Sequence, residues 1–178
     1  NPFYVRGNYK KLVRDIPQSK WFCRSCRGAG CPKCDGTGKM YLESVEEIIA
    51  GPLLKRTKGE DVALHAAGRE DVDARMLGNG RPFIIEIKRP KRRFIDLQNL
   101  TEKINTQAHG KVKVVNLHSA NKDDVKRLKK AEASTKVYKV FIDFEREVTD
   151  EELDSVSKTL TKASIRQQTP LRVLHRRA

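Results

Sequence analysis

Cys23, Cys26, Cys31 and Cys34 are the only cysteines in the chain, spaced C-x2-C-x4-C-x2-C among Gly28, Gly30, Gly36 and Gly38. So glycine-rich a segment holds little regular structure and has no apolar residues from which to build a core. Its order has to come from the thiols. Each Cys-x-x-Cys turns two thiolates toward one point, and four thiolates meet the tetrahedral preference of Zn2+. The glycines supply the backbone angles that such knuckles require. Two disulfides or four idle thiols are the alternatives. Disulfides belong to oxidising compartments, for which the chain carries no apolar signal region, and idle thiols would have no core to join. The spacing predicts one structural Zn2+ with a closed shell, tying a basic N-terminal segment to the helix that follows.

The charge balance points to the partner. The 178 residues include 37 Lys+Arg and 23 Asp+Glu, a net charge of +14. Residues 1–41 alone hold nine basic and two acidic side chains. Nucleic acid is the expected counter-ion, because Lys and Arg that neutralise phosphates release condensed cations. The length suits one ordinary domain with a small appendage. We therefore divide the chain into a basic zinc-binding segment, 1–41, and a domain over 42–178. The first residue is Asn1, so a natural extension upstream is expected. No apolar run approaches the length of a membrane span, which makes a cytoplasmic protein the default.

Periodicity outlines the rest. Ser44 followed by Glu47 reads as a helix cap, with Gly51-Pro52 expected to stop or bend that helix. Val62–Ala66 and Pro82–Ile87 read as neighbouring strands around the loop Gly68-Arg69-Glu70-Asp71-Val72-Asp73-Ala74-Arg75. A helix follows from Asp96 to Asn105, then a strand over Lys111–Leu117 and a charged helix over Lys122–Ala131. Val137–Glu145 predicts a strand with Tyr138, Val140, Ile142 and Phe144 on one face. A helix over Asp150–Leu160 and a last strand through Leu171–Leu174 complete the order. Short connections and amphipathic strands predict an α+β fold, with a mixed, largely antiparallel sheet and helices on one face.

The loop of residues 68–75 sets carboxylates between guanidinium groups. Read bare, it is a run of solvated salt bridges among Arg69, Glu70, Asp73 and Arg75, of a kind common on surfaces. If strand-like alternation persists there, Asp71 and Asp73 share a face, and spacing does not choose between them. Lys88-Arg89-Pro90-Lys91-Arg92-Arg93 is the densest cationic run and suits an exposed loop; Arg172, Arg176 and Arg177 form a second basic group. Lysines in such runs contact phosphate without reading sequence. His65 and His175 lie in no pattern that suggests acid–base work.

Four blocks in order carry a family resemblance: Asn1 to Lys10 with Ile16 to Trp21; the close cysteine pairs before Glu43 to Glu47; Gly68 to Phe83 (GREDVDARMLGNGRPF); and Gln168 to Arg177. The chain resembles the archaeal and eukaryotic tRNA pseudouridine synthases that modify the T-loop, the tenth family. The resemblance implies a pseudouridine-synthase-like domain acting without organic cofactor on the tRNA T-arm. It assigns Asp71 as nucleophile, Arg69 as the arginine that helps extrude or position the uridine, and Tyr138 as the ring that stacks on it. Asp73 and Glu70 are the competing carboxylates, and a plain core role is the alternative for Tyr138. Family members also carry an upstream THUMP domain and a downstream tail with a further aromatic and a basic partner for the aspartate. The chain is thus expected to be a fragment, its missing C-terminal region supplied on another chain or lost. A non-catalytic zinc-dependent RNA-binding module is the second reading. The paired C-x-x-C-x-G-x-G pattern also resembles the cysteine-rich region of J-domain co-chaperones, which use longer spacers and two zinc sites.

Overall fold

The computed structural model describes residues 1–130 and 137–166. It divides into two compact units, Asn1–Thr135 and Lys136–Ala178.

The first unit is built on β1 (Phe3–Lys11), β2 (Asp61–Ala66), β3 (Met76–Lys88) and β4 (Val112–Ala120), in the order β2-β3-β1-β4. Every pairing is antiparallel. The expected mixed sheet is therefore wholly antiparallel among the described residues. β1 lies at its centre, although no strand is expected there from periodicity. Its pattern is carried by Val5, Gly7, Tyr9 and Lys11, of which one is glycine and one a cation, so an apolar alternation is hard to see. The segment 1–41 thus contributes a central strand to the same unit as residues 42–135.

One face of the sheet presents Val5, Tyr9, Phe83, Ile85 and Ile87 to two helices. The first, α1 (Val45–Thr57), buries Val45, Ile49 and Leu53; the second, α2 (Leu97–Gln107), buries Leu100 and Ile104. Ser44 caps α1 as expected, accepting from the Glu47 N–H at 3.2 Å. Gly51-Pro52 does not stop α1, which runs a further turn to Thr57. A proline deletes one N–H, but the burial of Leu53 and Thr57 beyond it holds the helix on course. Asp96 caps α2 through the Asn99 N–H at 3.0 Å.

Helices do not stay on one face. A short helix, α3 (Lys122–Lys130), packs on β2 and β3 with Val125 as its one buried residue. Its Asp124 pairs with Arg6 at 3.7 Å. Arg6 lies opposite Ile84 in the ladder, on the side away from Val5, so α3 covers the second face.

In the second unit, α4 (Asp150–Leu160) forms as expected, with Thr149 and Glu152 making a reciprocal cap. The strand expected over Val137–Glu145 does not form: these residues are irregular and exposed, Tyr138 to 75%. Alternation favours a strand only where a neighbour completes the ladder and a face is covered, and the described residues offer neither. The strand expected at Leu171–Leu174 lies outside the described residues, as do Arg172, Arg176 and Arg177.

A buttressed acidic loop and a four-cysteine centre

The acidic loop joins β2 to β3, and its order comes from beneath. Lys11 is fully buried and its ammonium has three backbone acceptors: Ile16 O at 3.0 Å, Asp71 O at 2.9 Å and Val72 O at 3.0 Å. A lysine side chain has three N–H donors, so each finds a carbonyl. Burial pulls this ammonium below the usual lysine range, against the opposing pull of the Glu70, Asp73, Asp15 and Asp71 carboxylates. The loop is further pinned by the Asp15 N–H, which donates to Val72 O at 2.9 Å, and closes on itself through Ala74 N–H to Asp71 O at 3.1 Å.

Glu70 points inward. Its carboxylate accepts from Arg81 Nε at 2.8 Å and from the Tyr9 hydroxyl at 2.8 and 3.0 Å, and both ion-pair side chains are less than a tenth exposed. Arg81 also donates to Ala67 O at 2.6 Å, and Gln18 Nε2 donates to both the Tyr9 hydroxyl, at 2.7 Å, and Gly68 O, at 3.0 Å. Tyr9 is pushed above its ordinary pKa by burial and then by the Glu70 charge. Arg81 reaches this position because β3 departs from regular pairing just before it: Tyr9 faces Arg81 but Lys11 faces Met76. The intervening Leu77–Gly80 bulges out, with Gly78 and Gly80 at φ +58° and +78°. A Cβ on Gly80 would sit 2.7 Å from Tyr9 O. The second half of the motif, Gly78-Asn79-Gly80-Arg81, is therefore scaffolding for the first.

With Glu70 drawn inward, Arg69, Asp71, Asp73 and Arg75 are the exposed side chains of the loop. The run of solvated salt bridges is not what forms: Glu70 belongs to a buried cluster, and its partner is Arg81. Lys11, Tyr9, Gln18 and Arg81 are the residues that sequence reasoning missed. The period-2 spacing of Val5, Tyr9 and Lys11 was the available signal.

The cationic run is divided by its partners. Lys88 pairs with Asp61 at 2.7 Å, Arg89 with Glu60, and Arg93 with the backbone carbonyls of Asn1 and Pro2. Lys91 and Arg92 keep exposed side chains, while their N–H groups donate to Thr57 O at 3.0 and 2.9 Å.

The four cysteine sulfurs lie within 4.8 Å of one another. Cys23–Cys31 is 3.9 Å, Cys26–Cys34 3.8 Å and Cys31–Cys34 3.6 Å. Thiolates at ~2.3 Å around one tetrahedral ion are roughly 3.8 Å apart, so the arrangement fits a single metal ion. Backbone N–H groups of Gly30 (to Cys26), Cys31 and Gly38 (both to Cys34) approach the sulfurs at 3.2–3.3 Å, as outer contacts to thiolate ligands do. Arg27 and Asp35, each directly after the second cysteine of a pair, share the left-handed conformation. Burial works against the Cys34 thiolate, but the Cys31 and Gly38 N–H groups and the neighbouring thiols outweigh it, bringing this thiol down to about 6. The knuckle is closed at its base by Phe22 paired with Lys39, and Trp21 meets the Tyr41 ring edge-on at 5.6 Å.

The fold and the two sites together define an α+β protein in which a four-cysteine knuckle accompanies an acidic loop buttressed from below. Residues 4–178 match the family model described as "Pus10, C-terminal", and the chain belongs to that family. Among curated relatives, the chain is 52% identical over 178 residues to the tRNA pseudouridine synthase Pus10 of Methanocaldococcus jannaschii, covering all of this chain and 38% of that protein. It is 51% identical to the proteins of that name from Methanothermobacter marburgensis and Methanopyrus kandleri, covering 44% and 41% of their lengths. The chain thus spans about two-fifths of the relatives it resembles. No helix among the described residues is long and apolar enough to cross a membrane.

Proposed function

We propose that the chain is the catalytic part of a cytoplasmic tRNA pseudouridine synthase that isomerises uridine to pseudouridine in the T-loop. The observation that carries it is the buttressed loop: Lys11 and the Glu70–Arg81 pair fix its backbone and leave Asp71 exposed beside Arg69, in a chain half-identical to proteins bearing that enzyme name. Asp71 is the nucleophile or the anion that stabilises the developing cation at C1′ of the ribose. The N1–C1′ bond breaks, uracil turns, and a C5–C1′ bond forms; the proton displaced from C5 is balanced by one gained at N1. Electrons and atoms balance within the nucleotide, so the isomerisation consumes no co-substrate.

Arg69 positions the extruded nucleotide and Tyr138 stacks on its base, the target having left its own stack first. Lys91 and Arg92, with Lys88, Arg89 and Arg93 once released from weak surface pairs, contact tRNA phosphates, as do Arg172, Arg176 and Arg177. The shape of the folded T-arm supplies selectivity. Cys23, Cys26, Cys31 and Cys34 hold a structural Zn2+; with four thiolate ligands it has no open position for water. Regions of the whole enzyme beyond this chain, including a C-terminal portion on the same or another chain, complete the site.

The test is to incubate an unmodified tRNA transcript with the intact protein and map pseudouridine. Product in the T-loop is expected. RNA binding with no product would favour a zinc-dependent RNA-binding module instead.

A further inference from the structure

The densest cationic run of the sequence is only partly free to meet a ligand. Three members of the run Lys88–Arg93 are engaged within the protein. Arg92 is not, and its backbone bond to Thr57 O lays it against the C-terminal end of α1. There it lines a cleft of about 340 Å³ between α1 and α2, together with Lys55 and Arg56 from α1 and Lys103 from α2. All four side chains are exposed, and none makes an ion pair with a carboxylate among the described residues. Five cations elsewhere contrast with them: Lys126, Arg127, Arg146, Lys88 and Arg89 each hold an acidic partner. Asp96 also lines the cleft, and its carboxylate is occupied in capping α2. Asn99 stands four residues before Lys103 on the same side of that helix and adds a neutral polar group.

We propose that this α1–α2 cleft is an anchoring site for the RNA sugar–phosphate backbone, separate from the acidic loop. Lys55, Arg56, Arg92 and Lys103 come from three elements, which spreads the positive charge along a furrow as a polyanion requires. The two arginines offer planar donor pairs to phosphate oxygens and the two lysines compact point charges. Four cations facing one furrow match phosphate oxygens, so the site fixes the position of the RNA and not its sequence. It deepens the enzyme reading by supplying a contact remote from the reacting uridine. It also stands without that reading, because it is read out as binding alone.

The experiment measures affinity of the full chain for an unmodified tRNA transcript as a function of salt. The triple variant Lys55→Ala, Arg92→Ala, Lys103→Ala is compared with the charge-matched triple Lys126→Ala, Arg127→Ala, Arg146→Ala. Each lost phosphate contact removes about 0.7–0.9 from the slope of log affinity against log salt. The cleft triple is expected to lower that slope by about 2, and the paired-cation triple by less than half as much. Equal losses would mean diffuse attraction by net charge and would overturn the proposal. Adenosine triphosphate, added at constant ionic strength, should not displace the transcript; displacement at micromolar concentration would make the cleft a nucleotide pocket and overturn it as well. All six positions are exposed, and matching unfolding midpoints check that the variants keep their fold. Asp71→Asn should leave both slopes unchanged while removing product, which separates failure here from failure of the catalytic assignment.

Discussion

Glu70 and Asp71 are adjacent carboxylates with opposite surroundings, and that difference organises the site. One turns inward to Arg81 and Tyr9; the other turns outward while its backbone carbonyl is held by Lys11. Removing a charge from a buried, hydrogen-bonded pair leaves its partner uncompensated and costs about 3–5 kcal/mol. Glu70→Gln keeps the shape and part of the hydrogen bonding, so we predict a loss of about 3 kcal/mol, read from the midpoint of denaturant unfolding. Lys11→Met should cost at least ~2 kcal/mol, because three carbonyls lose a common donor. A change below about 0.5 kcal/mol in either variant would show that the loop does not depend on this buttress. Conversely, Asp71→Asn is an isosteric change at an exposed position and should leave the midpoint within about 1 kcal/mol.

At the level of elements, the knuckle and the sheet draw their order from different sources. The knuckle has almost no apolar interior, whereas the sheet buries Val5, Phe83, Ile85 and Ile87 against α1 and α2. Chelation should therefore disorder the first and spare the second. Trp21 is the only tryptophan and sits at the knuckle's base, so its fluorescence reports the change. We expect it to shift on chelation and recover with one equivalent of Zn2+, while the far-ultraviolet signal of the sheet persists. Unchanged fluorescence after complete metal removal would contradict a metal-ordered knuckle. The elements that the sequence made legible share one property: a local signal sufficient to specify them. Ser44 and Asp96 mark helix starts, the cysteine spacing marks the knuckle, and Phe83–Ile87 form an apolar run. What was not legible depends on distant partners. Lys11 in β1 looks like surface until three carbonyls from elsewhere in the chain surround it. The alternation of Val137–Phe144 looks like a strand yet has no ladder among the described residues. Pro52 looks like a stop until the packing beyond it is counted.

At the scale of the whole molecule, the proposed reading gives the buttressed loop the chemistry and the α1–α2 cleft a grip on the RNA backbone. The most direct test of this account is product formation by the intact protein carrying Asp71→Asn, with an unmodified tRNA transcript and pseudouridine mapped in the T-loop. We predict unchanged RNA affinity and a fall in product on the order of 10³-fold or more; product formed at the unsubstituted rate would contradict the assignment of Asp71.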